Sequence, residues 1–233
     1  VAGDTSSGLA NAAVAAACDD ALIDLDRELP DGDHRLRILT DRDDEALEIL
    51  RHTAAHVLAD AVVRLYGPEA RYTIGPALVD DFQYGFYYDF DLPRSVGSDD
   101  LEQIEAEMAR IISENLPIRR EVLSVEEAKR RFEQLGQSYK VEMIDELAAE
   151  EGVDRVSLYH QGEFTDLCRG PHLPSTGAMK TYKLLSVAGA YWRGDESQPM
   201  LTRIYGIAFF DKKDLAAHLE RIEEARKRDH RIL

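Results

Sequence analysis

Cysteine is scarce: Cys18 and Cys168 are the only two among 233 residues, too few for a disulfide framework. There is no run of eighteen apolar residues and no charged-then-apolar leader. The expectation is therefore a reduced, soluble, cytoplasmic protein with no membrane partner. Basic residues are outnumbered, 28 against 45 acidic for a net charge of −17, so generic attraction to nucleic acid is not expected. A polyanion would need a local basic patch. Candidates are Ile118-Arg119-Arg120, Lys129-Arg130-Arg131 and Arg226-Lys227-Arg228, the last two reading as solvated helix faces. No internal repeat or low-complexity tract is present, and there is no initiator Met before Val1-Ala2-Gly3 and the alanine-rich stretch that follows. That opening reads as a chain cut inside a domain. What is present, 44% hydrophobic residues, suffices for one ordinary core and a smaller appendage.

Apolar alternation at Ala21-Leu22-Ile23-Asp24-Leu25, the turn Pro30-Asp31-Gly32-Asp33 and the period of two in Arg35 to Leu39 read as a small, incomplete β-rich unit over residues 1–40. Asp43 or Asp44 then caps a long helix over residues 44–66, with Leu47, Leu50, Ala54, Leu58, Ala61, Val62 and Leu65 on one stripe. Its opposite face carries His52 and His56 among Ile49, Ala59 and Val63. A helix apolar on both sides is covered on both sides, which puts the imidazoles at a pocket wall where burial tunes them.

Further on, Phe82 to Phe90 is strand-like by its aromatics. Ser98 or Asp99 opens a helix ended by Asn115 and Pro117, and Ile118 to Leu123 is a strand. Ser124 and Glu127 form a capping box for a helix that stops at Gly136. Residues 139–150 suit another helix, and Gln161-Gly162 turns a hairpin of Val156 to His160 with Glu163 to Leu167. Tyr182 to Leu185, Ala190 to Trp192 and Leu201 to Phe209 read as strands before a final charged helix capped by Asp211. Strands and helices segregate, so the fold class is α+β, a mixed or antiparallel sheet with packed helices.

Two spaced pairs carry the chemistry: His52 with His56 in Arg-His-Thr-Ala-Ala-His, and Cys168 with His172 in Asp-Leu-Cys-Arg-Gly-Pro-His. Residues four apart on a helix share a face. A helix-borne histidine pair facing a loop-borne Cys and His is the layout of a tetrahedral zinc site, or of a polar pocket made from the same side chains. Thr53 follows His52 where the zinc protease motif has glutamate, which counts against a protease.

The ordered series Arg51 to His56, Tyr72 to Pro76, Gly85 to Phe90, Ser138 to Val141, Asp166 to His172, Ala188 to Asp195 and Arg203 to Phe209 resembles the amino-terminal half of the bacterial threonyl-tRNA synthetase family. The resemblance implies a partial β-grasp (TGS) domain over 1–40, an editing domain over 41–210, and a helix over 211–233 toward a catalytic core that this chain lacks. ATP, magnesium and a structural zinc belong to that core. The implied function is hydrolysis of serine mischarged on threonine tRNA, by water attack and without a cofactor.

Carried over by position, the resemblance gives His52 and Lys140 as the groups nearest the water and the tRNA 3′ end. His56, Cys168 and His172 shape the catalytic pocket, and Asp166 takes the serine ammonium with Tyr88 and Arg169 beside it. By composition alone Lys140 is a solubilising lysine. The implied partners are threonine tRNA and its seryl form; the full-length enzyme is expected to be a homodimer and the fragment a monomer. Two rival readings are a zinc hydrolase holding its metal on His52, His56, Cys168 and His172, as in the related alanyl editing domain, and a non-catalytic tRNA-binding or regulatory module.

Overall fold

The computed structural model describes residues 6–232, with side chains described through Arg228. Residues 1–5 of the expected β-grasp piece, and Leu233, lie outside the described residues. The chain runs α1 (Ser7–Ala12), β1 (Ala13–Cys18), β2 (Ala21–Ile23), β3 (Leu36–Thr40), α2 (Asp44–Tyr66), β4 (Arg71–Tyr72), β5 (Phe86–Asp91), α3 (Leu101–Glu114) and β6 (Ile118–Ser124). It continues through α4 (Val125–Gln134), α5 (Ser138–Glu151), β7 (Arg155–Gln161), β8 (Phe164–Leu167), β9 (Thr181–Tyr191), β10 (Met200–Phe209) and α6 (Lys212–Ile232).

The organising element is α2. No glycine or proline interrupts its 23 residues, Asp44 and Glu45 sit at the positive end of its dipole, Arg64 sits at the negative end, and Gly67 at φ 79° closes it. Asp43 occupies the cap position, but its carboxylate accepts from the Thr40 amide at 2.8 Å and the Thr40 hydroxyl at 3.0 Å. It tethers β3 to the helix instead of capping its amides. As the two apolar faces require, α2 is covered on all sides along its middle, with Ile49, Leu50, Val57, Leu58 and Val62 buried. Truncating one such leucine to alanine costs about 2–5 kcal/mol.

Three antiparallel sheets surround this helix: β2-β1-β3, β4-β5-β10-β9 and β6-β7-β8. The four-stranded sheet and α3 pack on α2 as one core, which takes in Val14, Ala15 and Leu39 from the first sheet. A second core lies between β6-β7 and the pair α4-α5, around Phe132, Ile144 and Leu158.

Most expected elements are present, including the Ser124–Glu127 capping box and the hairpin at Gly162. Four differ. The alanine-rich stretch contains the central strand β1, buried throughout, where no strand was expected. The two strands expected at Tyr182–Leu185 and Ala190–Trp192 are one strand, β9, and Trp192 lies in the 3-10 turn after it. The aromatic segment is strand only from Phe86, because Phe82 to Tyr84 sit in a surface loop where Asp81 accepts from the Gln83 and Tyr84 amides at 2.8 Å. A 3-10 turn over Ser98–Asp100 precedes α3, so that helix proper begins at Leu101.

Candidate functional site

Five segments meet at one point. His52 and His56 project from α2, Tyr88 from β5, Lys140 from the first turn of α5 and Asp166 from β8, while Cys168 and His172 come from the loop after β8. His56, Tyr88, Lys140, Asp166 and His172 are buried; His52 and Cys168 are half-buried and form the mouth. The two pairs separated by more than a hundred residues in sequence are therefore in contact.

At the floor, the Lys140 ammonium meets Asp166 Oδ1 at 2.5 Å, donates to the Thr73 carbonyl and donates to Tyr88 Oη at 3.2 Å. Tyr88 in turn donates to Asp166 Oδ2 at 2.6 Å, and His56 Nε2 lies 3.3 Å from that oxygen. The ammonium has two hydrogen-bond acceptors besides its ion-pair contact with the carboxylate, and the buried cation and anion neutralise one another, which is the condition for keeping such charges out of water. Gln137, just before α5, fixes this geometry: its Oε1 accepts from the Tyr72 amide at 3.1 Å and its Nε2 donates to the Ala70 carbonyl at 3.0 Å. Gly75 makes room for the Tyr88 ring, since a Cβ there would lie 2.1 Å from it.

At the mouth the tautomers follow from the partners. Thr53 gives its only hydroxyl proton to the Ile49 carbonyl at 2.9 Å and accepts the Leu173 amide at 3.0 Å. The 3.2 Å contact of His172 Nδ1 with Thr53 Oγ1 must then be donated by the ring. That leaves a lone pair on His172 Nε2, which lies 3.2 Å from Cys168 Sγ. His52 hydrogen-bonds the Pro171 carbonyl and points Nε2 at the same sulfur, also at 3.2 Å. The Gly170 amide donates to that sulfur at 3.2 Å. One thiol proton thus serves two facing lone pairs, and one imidazole nitrogen is left with an acceptor to spare.

Burial dictates charge here. Desolvation holds His52 at a pKa of about 3, helped by His56 and opposed by Asp166. Desolvation, with the Lys140 charge adding to it, likewise holds His56 at about 3. His172 is lowered well below its ordinary value by burial and by the two neighbouring histidines. Burial, then the Asp166 charge, pushes the Cys168 thiol up to about 12, against a partial offset from the Gly170 amide. At neutral pH all three imidazoles are bare bases and the thiol keeps its proton.

The donor set also has a metal-binding aspect. One ligand atom from each of His52, His56, Cys168 and His172 falls within 4.8 Å of the others, a soft N/S set suited to zinc. By tautomer, the His52 and His172 lone pairs both face Cys168 Sγ, whereas His56 Nε2 faces the Asp166 carboxylate.

Seven of the eight residues singled out in the sequence converge. Arg169 does not join them: its side chain is exposed and pairs with Glu151 at 2.5 Å. It lines a groove of about 370 Å³ that touches the cluster only at Cys168, with Arg120 and Arg155 also on its wall and Val122, Leu147 and Leu167 among its apolar lining. Sequence reasoning missed Asp24, Thr53, Thr73 and Gln137. Thr53 lies inside the histidine motif and Asp24 interrupts an apolar alternation, the only local signals available.

Comparison with known proteins first finds a family model that matches part of the chain. Residues 156–205, from β7 into β10, match the family described as Threonyl and Alanyl tRNA synthetase second additional domain. The chain is moreover homologous over its whole length to bacterial threonine–tRNA ligases. It is 53% identical over 233 residues to that of Pelobacter propionicus, covering all of this chain and 35% of that protein. Identity is 53% over 225 residues with the Symbiobacterium thermophilum protein (97% and 33% covered) and 49% over 231 residues with that of Staphylococcus aureus (99% and 34%). The chain spans about a third of the length of these curated relatives. Among the described residues no helix is long and apolar enough to cross a membrane.

Proposed function

We propose that this chain is the proofreading part of a threonine–tRNA ligase and hydrolyses the ester that joins serine to the 3′ end of threonine tRNA. The observation that carries this reading is the convergence of the His52 and His172 lone pairs on the Cys168 thiol beside the Lys140–Asp166–Tyr88 floor. A ligase site built for threonine gains only about 1–3 kcal/mol, roughly 10–200-fold, from one methyl group, so serine must be removed at a second site. Hydrolysis there requires a water, a base and a counter-charge for the oxyanion.

His52, half-buried at the mouth with a bare Nε2, is the base that receives the proton of the attacking water. Asp166 is the only buried anion among these side chains and takes the serine ammonium. Lys140 then shares that carboxylate and turns its charge toward the developing oxyanion, while the Tyr88 hydroxyl orients the seryl group. The groove that ends at Cys168 suits a nucleotide, its apolar floor facing the base and Arg120, Arg155 and Arg169 near the phosphates. In an intact ligase, ATP-dependent threonylation and dimer formation would belong to the remaining two thirds of the protein.

The direct test compares hydrolysis of seryl- and threonyl-tRNA by the 233-residue chain and by its His52→Ala variant. Serine should be released selectively, and the variant should be slower by about 100-fold. Equal rates for the two proteins would refute the assignment. A second reading, a zinc hydrolase, draws on the four donors within 4.8 Å; His52, Cys168 and His172 would hold the ion, which would supply a lowered water pKa. Stoichiometric zinc in tag-free protein, with hydrolysis abolished by chelation, would select it.

A further inference from the structure

We infer that Asp24, contributed by the amino-terminal sheet, is a positioning residue for the pocket, holding the Cys168–His172 loop in the conformation that aims both residues at His52. Its hydrolytic consequence rests on the proposed editing function; its structural consequence does not. Asp24 directly follows β2 and is 7% exposed. Its Oδ1 accepts the His172 amide at 2.9 Å and its Oδ2 accepts the Tyr159 hydroxyl at 2.7 Å. The nearest cation, the half-exposed Arg27, is 4.0 Å away, so this carboxylate is buried chiefly for its two hydrogen bonds.

Both partners bear on the pocket. The Tyr159 ring meets the His172 ring edge-on at 4.6 Å between centroids. Its hydroxyl fills the space beside Gly170, where a Cβ would lie 1.9 Å away and the backbone has φ 70°. The loop belongs to no strand or helix. Its start is tied to β7 by the Cys168 amide to the Ser157 carbonyl at 3.1 Å, and its end depends on Asp24 and Thr53. Without the Asp24 carboxylate, a buried amide and a buried hydroxyl lose their acceptor, and the loop relaxes to rehydrate them. The amino-terminal sheet is thereby part of the pocket wall.

The test uses Asp24→Ala, Asp24→Asn and Tyr159→Phe in the 233-residue chain, with two readouts. The first is the rate of Cys168 alkylation by iodoacetamide, read by peptide mass spectrometry; the second is kcat and KM for seryl-tRNA. The Asn amide can accept from the His172 amide and donate to Tyr159 Oη, so it restores geometry without charge. Asp24→Ala should alkylate faster by about fivefold or more and lose about tenfold in kcat with KM little changed, and Asp24→Asn should stay within about threefold of the parent in both. Alkylation in Asp24→Ala at the parental rate, or Asn as impaired as Ala, overturns the inference. Should Asp24→Ala fail to fold, Tyr159→Phe decides alone: alkylation about threefold faster supports the role and an unchanged rate overturns it. A parent chain that hydrolyses no seryl-tRNA defeats the functional reading, while alkylation still decides the positioning role.

Discussion

Acidification should destabilise this protein through its buried imidazoles. His52 and His56 are held near a pKa of about 3 in the folded chain, whereas in the unfolded chain they titrate at about 6.5. Their folded pKa values are depressed, so the unfolded state binds the extra protons. The stability they confer is fully present above about 6.5 and is lost as pH falls toward about 3. At about pH 5 each costs about 2 kcal/mol, about 4 kcal/mol for the pair, and His172 acts in the same direction. Against a typical total of about 5–15 kcal/mol, that moves the protein close to unfolding. The assay is urea denaturation at a series of pH values, followed by the fluorescence of buried Trp192, the sole tryptophan, with the m-value checked for constancy. His56→Gln should flatten the curve by about half of the pair's effect. A midpoint that does not move between about pH 7.5 and 5, or one that rises on acidification, would refute the claim that these rings are buried and neutral.

Lys140→Met should destabilise the fold by about 3–5 kcal/mol, because it strands the Asp166 carboxylate, and adding Asp166→Asn should recover much of that loss; thermal melts of the single and double variants check it. Cys168→Ser should keep seryl-tRNA hydrolysis within about tenfold of the parent, because the thiol is protonated and not the nucleophile; single-turnover deacylation measures this, and complete loss with a trapped acyl-enzyme in the parent would contradict it.

How far the sequence reached depended on whether a signal was local. The helix over residues 44–66, its double apolar face and the two spaced pairs are local patterns, and each appears as read. Strand β1 is hidden because Ala13-Val14-Ala15-Ala16-Ala17-Cys18 has helix-former composition, and its strand character comes from pairing on both sides with β2 and β3. Strand β9 reads as two because Ser186 to Gly189 are mostly small residues, carried across the gap by the β10 ladder. At the site, Lys140 is legible only through its motif: nothing local says that a lysine in the first turn of α5 is 1% exposed. Asp24 and Gln137 act on backbone groups far away in sequence, and no spacing rule announces a contact across 148 residues.

The charge state of the cluster chooses between two chemistries that the same residue types could perform. A cysteine–histidine pair becomes nucleophilic when the proton passes from sulfur to imidazole, which requires a thiol pKa near or below that of its partner. Here burial pushes the thiol up to about 12 and holds His52 down at about 3, so that transfer runs against both shifts. Burial raises the one and lowers the other for a single reason: both charged forms lose water. The same desolvation leaves the imidazole lone pairs unprotonated at neutral pH and able to bind a water without competing with its protons. An ester needs no stronger nucleophile than an oriented water with a base beside it. The fixed charge that the proposed hydrolysis requires is instead held in the Lys140–Asp166 pair, one layer below the mouth. On the proposed reading, a seryl ammonium entering that layer adds a second cation to a carboxylate already paired, an excess of positive charge that the developing oxyanion offsets.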